Sequence, residues 1–302
     1  MSEKSASTKK HKRLPLVEVP SLIKESFIDF FKEQGLFHGA ALAYYTLFAM
    51  VPLFYLSISL FGRIIGQEVM LEIISDLLKN KIGVQDISGV MDFLNKLNFE
   101  KGNFLMEMAS IIALLVASSA VIVCLKKSIN EFFDLEIKFS SKRKKIVKGI
   151  LFRLLSMLLI AAITVFIIIL YFAQSILLSL NNSFFEGNEL LNFILSGITK
   201  HGLAIFSNAV IFTIVFKYVH DGFVQWKIAI GGAVITAIML YIGQLLIKYY
   251  LFNYFFGASA GIAGSLFIIL AWIYYSSQII FFGAKFTAIY ARKVGRPIHF
   301  KE

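Results

Sequence analysis

Four uncharged polar side chains, Gln174, Asn208, Gln244 and Gln278, stand deep inside long apolar runs of the chain. Polar groups in hydrocarbon are costly and call for a role. These four can line a polar path through a helix bundle, or they can be interhelical hydrogen-bond glue worth about 0.6 kcal/mol apiece on average. A second cluster lies in the first apolar run. Gly39, Ala40, Ala41 and Ala43 permit close helix approach, while Pro52 removes a backbone donor and strains the turn back to Phe48. Tyr44, Phe48 and Tyr55 share one helical face there. A kinked helix carrying Tyr44 and Tyr45 can form a gate or a solute contact, although prolines and small residues are also common in transmembrane helices.

Catalytic chemistry finds no foothold. His11, His38, His201, His220 and His299 are scattered, with no HExxH, no GxSxG and no Walker loop. Cys124 is the single cysteine, so neither an internal disulfide nor a Cys/His metal site is expected. No catalytic residue, metal ligand or cofactor is assigned, and the chain reads as a non-enzyme.

The elements that must position these residues follow from composition. Hydrophobic residues make up 58% of the chain, with 31 phenylalanines and a mean hydropathy of +0.75, against about 45–50% apolar residues in a soluble domain. Uncharged runs near the ~20-residue spanning length predict six membrane helices at about 36–65, 104–125, 149–180, 202–219, 228–247 and 264–288. The fold class is an all-α integral membrane protein, a bundle of about six transmembrane helices with amphipathic interfacial helices. Residues 1–35 form a basic arm and 291–302 a tail, flanking a membrane domain at 36–290. In the arm, Ile23, Phe27, Phe30 and Phe31 make one apolar stripe of an interfacial helix. Two more stripes, Val69/Ile73/Leu77 and Ile87/Val90/Leu94/Leu97, predict short helices after the first span, lying at headgroup level or capping an opening. A turn dipping into the membrane is expected over 249–263.

Charge sets the orientation. The arm carries Lys4, Lys9, Lys10, Lys12, Arg13, Lys24 and Lys32, and the 126–148 loop is as rich in Lys and Arg; the loops of the other side hold only Lys79, Lys81, Lys96, Lys101, Lys200 and Lys248. Positive loops stay inside, which places both termini in the cytoplasm of a cell with a bacterial-type inner membrane. The net charge of +11 fits anionic lipid headgroups as partners, not nucleic acid, because no recognition module accompanies it. No carboxylate falls near the centre of a span, and Arg63, Arg153 and Lys285 stand near span ends from which they can snorkel to headgroups.

Several pieces in order resemble the YihY/virulence-factor BrkB family, once labelled ribonuclease BN. They are Ala41-Leu42-Ala43-Tyr44-Tyr45-Thr46-Leu47-Phe48-Ala49-Met50-Val51-Pro52-Leu53, Ser128-Ile129-Asn130, Gly231-Gly232-Ala233, Phe256-Gly257, the 264–274 run and Gly283-Ala284. The resemblance covers roughly 37–292 and implies a six-span inner-membrane protein; it adds Asn130 to the residues of interest. Members usually carry an acidic residue after that last Gly-Ala, where this chain has Lys285. A nuclease would need a metal or an activated water, for which no residues are at hand.

Taken together, the residues point to a transporter or exporter of a small molecule or envelope lipid, with Tyr44, Tyr45, Pro52, Asn130, Gln174, Asn208, Gln244 and Gln278 as the candidate pathway. The expected passenger is neutral or lipid-like. A non-transporting scaffold is the alternative, and a membrane-bound hydrolase a distant third.

Overall fold

The computed structural model describes residues 19–82, 87–96, 104–135, 144–184, 189–254 and 261–300. They form helices α1 (Val19–Lys32), α2 (Gly35–Leu56), α3 (Gly62–Ile65), α4 (Gln67–Asp76), α5 (Ser88–Lys96), α6 (Phe104–Phe132), α7 (Lys144–Phe184), α8 (Glu189–Tyr218), α9 (Trp226–Tyr254) and α10 (Gly261–Lys293). Two-residue strands β1 (Gly222–Phe223) and β2 (His299–Phe300) pair antiparallel and pin the end of the chain to the turn between α8 and α9.

Among the described residues six helices are long and apolar enough to cross a membrane: Gly35–Ile65, Phe104–Phe132, Leu158–Leu180, Leu190–Tyr218, Trp226–Tyr250 and Gly264–Lys293. The chain is an all-α, multi-pass membrane bundle. In hydrocarbon such segments satisfy every backbone N–H and C=O internally. The fourth span begins twelve residues earlier than the sequence predicts, because Lys200 and His201 interrupt the apolar run without interrupting α8. Lys200 is exposed, and His201 finds a hydrogen-bond partner in the Tyr241 hydroxyl of α9. The 41 residues of α7 extend about 60 Å, roughly twice the hydrocarbon thickness, so this helix projects beyond the membrane. Residues 249–254 continue α9 as regular helix, where a dipping turn was expected; positions 255–260 of that turn lie outside the described residues.

Span one keeps its helix through the buried Pro52, and a π-helical turn at Ser57–Phe61 follows within two turns. Such turns accommodate a lost backbone bond. Ser59 of that turn donates to Glu107 of α6 at 2.8 Å, and Arg63 pairs with the same carboxylate, joining the two spans at one end of the bundle. At this end α4 and α5 do more than lie at headgroup level. Met70, Ile73, Ile74, Leu78 and Leu94 are buried in a second apolar core with Ile58, Ile268 and Ile269. The first core occupies the opposite end, where Phe132, Phe216, Phe281, Phe286 and Ile228 are fully enclosed. There α9 and α10 meet closely: a Cβ on Gly232 would overlap Thr287, and one on Gly283 would overlap Thr236.

The arm helix α1 has two apolar faces where one stripe was expected. Leu22, Ser26 and Phe30 face the bundle, whereas Ile23, Phe27 and Phe31 are exposed. Inward packing aligns α1 with the far end of α10, and Lys285 takes the consequence. Its side chain does not snorkel: the residue is 1% exposed, with Nζ 2.5 Å from Glu33 and 3.1 Å from Asp134. The path to headgroups is closed by α1 on one side and by the end of α6 on the other. There Asp134, at φ 54°, stops the helix while Leu135 N donates to Asn130 O. Left-handed backbone is tolerated best by Asn and Asp. Burial raises the Glu33 carboxyl above its ordinary value, opposed by the Lys285 ammonium.

Removing one partner of a buried ion pair typically costs about 3–5 kcal/mol, far more than an exposed pair contributes. Lys285→Met should therefore lower the thermal midpoint of the maltoside-solubilised protein, and adding Glu33→Gln should recover part of the loss. Because the folded state holds the Glu33 proton to higher pH than the unfolded chain does, the Lys285→Met deficit should shrink as pH falls. Equal midpoints for Lys285→Met and the parent at neutral pH would show that the cluster holds nothing together.

Candidate functional site

A cavity of about 200 Å³ lies between α7, α8, α9 and α10, with α4 closing one side. It arises from unequal packing. Helix α7 rests on α6 and α8, and no residue of its spanning segment is fully buried, so its inner face stands off from α9 and α10. The cavity sits away from the ion cluster: Trp272, on its wall, precedes Lys285 by about 20 Å along α10.

Apolar walls come from Ile73, Leu77, Ile167, Leu170, Leu203, Ala204 and Ile211. The polar groups are Gln174 and Tyr171 from α7, Ser207 and Asn208 from α8, Gln244 from α9, Trp272 from α10 and Asp76 from α4. Three of the four amides singled out from the sequence thus come together, each from a different helix. Amide glue would bond one helix to the next. Among the described residues none of these three amides makes a hydrogen bond, and Ser207 satisfies its hydroxyl locally on Ala204 O at 2.9 Å. The amides' donors and acceptors are left unspent at the cavity wall.

The remaining sequence candidates lie elsewhere. Gln278 is packed on Gly39 and donates from Nε2 to Leu36 O at 3.3 Å, holding the start of α2 against α10. Tyr44 and Tyr45 are 58% and 39% exposed on the outside of the bundle and form an aromatic run with Phe48. Pro52 is buried in α2 but does not line the cavity. Asn130 sits at the basic end, where its Nδ2 donates to Asp221 Oδ2 at 2.9 Å and its Oδ1 accepts from Asp221 N at 3.0 Å. Lys126 completes that knot at 2.6 Å from Asp221 Oδ1. Beside it, buried His220 accepts from Gly222 N at Nδ1 and donates from Nε2 to Phe216 O, which fixes the neutral tautomer.

Sequence reasoning missed Asp76, Tyr171 and Trp272. One signal pointed to the first: Ile73, Asp76 and Leu77 are spaced i, i+3, i+4, so a carboxylate stands on the apolar face of α4. Tyr171 and Trp272 look like any other aromatic residue of a span. The Tyr171 hydroxyl is within hydrogen-bonding reach of Glu72, one turn before Asp76. Among the described residues no group of three or more His, Cys, Asp and Glu side chains is placed to hold a metal ion.

Compared with known proteins, residues 27–300 match the model of one family, described as virulence factor BrkB. No curated protein and no solved structure matches the chain.

The Asn130 knot makes an acid-stability prediction. Burial opposes ionisation of Asp221, but the hydrogen bonds from Lys126 and Asn130 outweigh it and hold the carboxyl below its ordinary 3.8. A depressed folded value contributes stability that is present above 3.8 and lost as pH falls through the folded value. Asn130→Ala should bring that loss to higher pH without changing which residues line the cavity, read as thermal midpoint against pH between 2 and 6. An acid limb identical to the parent's would remove Asn130 from the account.

Proposed function

The chain belongs to the virulence factor BrkB family, and on that premise we propose that it is a membrane carrier for a small molecule, with the cavity between α7 and α10 as its solute site. The observation that carries this reading is the set of three amides, Gln174, Asn208 and Gln244, presented to one cavity by three helices with their hydrogen bonds unspent. Ligand sites are mostly apolar with a few convergent polar groups, and in bundles they lie between helices. Size narrows the passenger. An engineered cavity of ~150 Å³ takes benzene, so about 200 Å³ suits a compact solute and not a whole phospholipid.

The wall itself suggests how solute gets in. Helix α7 packs on α6 and α8 with no fully buried residue in its span, and α4 lines the cavity beside it. Small displacements of either element would open the cavity toward one face or the other. We place the Lys285 end in the cytoplasm, because the described residues Lys126, Arg292 and Lys293 lie at that end and the sequence segments next to them are rich in Lys and Arg, and we assign the chain to a bacterial-type inner membrane. Anionic headgroups at that face are the partners its charge suits.

A carrier site must be reachable from both sides of the membrane. With Cys124→Ala as background, Asn208→Cys should react with a membrane-impermeant methanethiosulfonate ethyltrimethylammonium reagent in right-side-out and in inverted vesicles alike. A sealed packing defect or a scaffold gives a thiol that reacts from one face only or from neither, which would end the carrier reading.

A further inference from the structure

We propose that the solute is a small uncharged molecule bearing a carboxamide or a similar carbonyl group, whose oxygen accepts a hydrogen bond from the indole N–H of Trp272. The inference rests on the carrier reading and adds a chemical class to it. Trp272 lines the cavity, and its Nε1 is buried with no hydrogen-bond partner among the described residues. An indole N–H can only donate. Buried and unanswered, it carries the desolvation penalty of a polar group, which an acceptor placed in the cavity removes.

The amides around it narrow the class. Gln174, Asn208 and Gln244 each bring an NH₂ donor and a carbonyl acceptor to the same wall, all of them unspent. A carboxamide answers both halves at once, its oxygen to a donor and its N–H to an acceptor, while the apolar walls take its hydrocarbon part. Charge of either sign is poorly matched. An anion finds no Lys, Arg or His among the described lining residues, so it would give up its hydration without a counter-charge. A cation finds no spare carboxylate, because Asp76, the one acidic residue among those described on the wall, is already engaged within the protein.

Three probes of one shape separate the classes: 2,2-dimethylpropanamide, the anion 2,2-dimethylpropanoate and the cation 2,2-dimethylpropan-1-aminium. Binding is read by calorimetry on the full chain in a maltoside. The amide should bind at least tenfold more tightly than either ion. Because the chain has two tryptophans, a Trp226→Phe background leaves one indole N–H proton resonance, that of Trp272, which should move downfield as the amide saturates its site and stay in place with the ions. Trp272→Phe, which keeps an aromatic ring and removes the donor, should weaken amide binding about tenfold, as the loss of one hydrogen bond does. An ion that binds as tightly as the amide, or an amide that binds while the indole resonance stays put, overturns the assignment and leaves the carrier reading standing. Binding by none of the probes overturns it as well. In that case the carrier reading stands if the Asn208→Cys thiol reacts from both faces, and both fall together if it reacts from one face only or from neither.

Discussion

A charge buried in a membrane bundle must meet its counter-charges there, and Lys285 sets this constraint on the rest of the molecule. Its partners, Glu33 and Asp134, come from helices that precede it in the chain by 252 and 151 residues. To bring them together, α1 must fold inward against α10, and α6 must stop at a left-handed Asp134. Phe30, Phe132 and Phe281 then stack around the cluster, with ring centroids 5.9 and 5.5 Å apart in the two successive pairs. The reciprocal glycine and threonine fit of α9 against α10 adds a second tight joint at the same end. One half of the bundle is therefore held by charge, aromatic packing and close backbone approach together.

The other half is held differently, and the cavity is the result. Near Arg63 and Glu107 the spans are joined by polar ties at their rim and by the apolar undersides of α4 and α5. Helix α7 contributes no fully buried residue to either core along its spanning segment. Core packing leaves few voids larger than a water molecule, so the cavity marks a place where close packing has given way and three amides are left unspent. A tightly packed end and an end that holds a cavity in one bundle would suit the proposed carrier.

Much of this was legible in the sequence, for identifiable reasons. The six spans follow from hydropathy because backbone satisfaction leaves few other solutions in lipid. Gln174, Asn208 and Gln244 stood out because polar groups in hydrocarbon are rare. Pairings between distant segments were not legible. Nothing local in Lys285 announces Glu33, and a lysine near a span end reads as a snorkelling one until α1 is seen to cover it. Gln278 has the same sequence context as the other amides, yet it serves packing, since only the crossing of α2 at Gly39 distinguishes it. Asp76 was hidden for the opposite reason: it lies on a short helix outside every span, where carboxylates are presumed to face water.

The central claim is that a small solute passes through the cavity between α7 and α10. Accessibility of a second amide position on the cavity wall tests it most directly, with Gln244→Cys in a Cys124→Ala background exposed to a membrane-impermeant thiol reagent from each face in turn. The account predicts reaction from both faces, with prior reaction at one face abolishing reaction at the other. A thiol that reacts from one face only, or from neither, would contradict it.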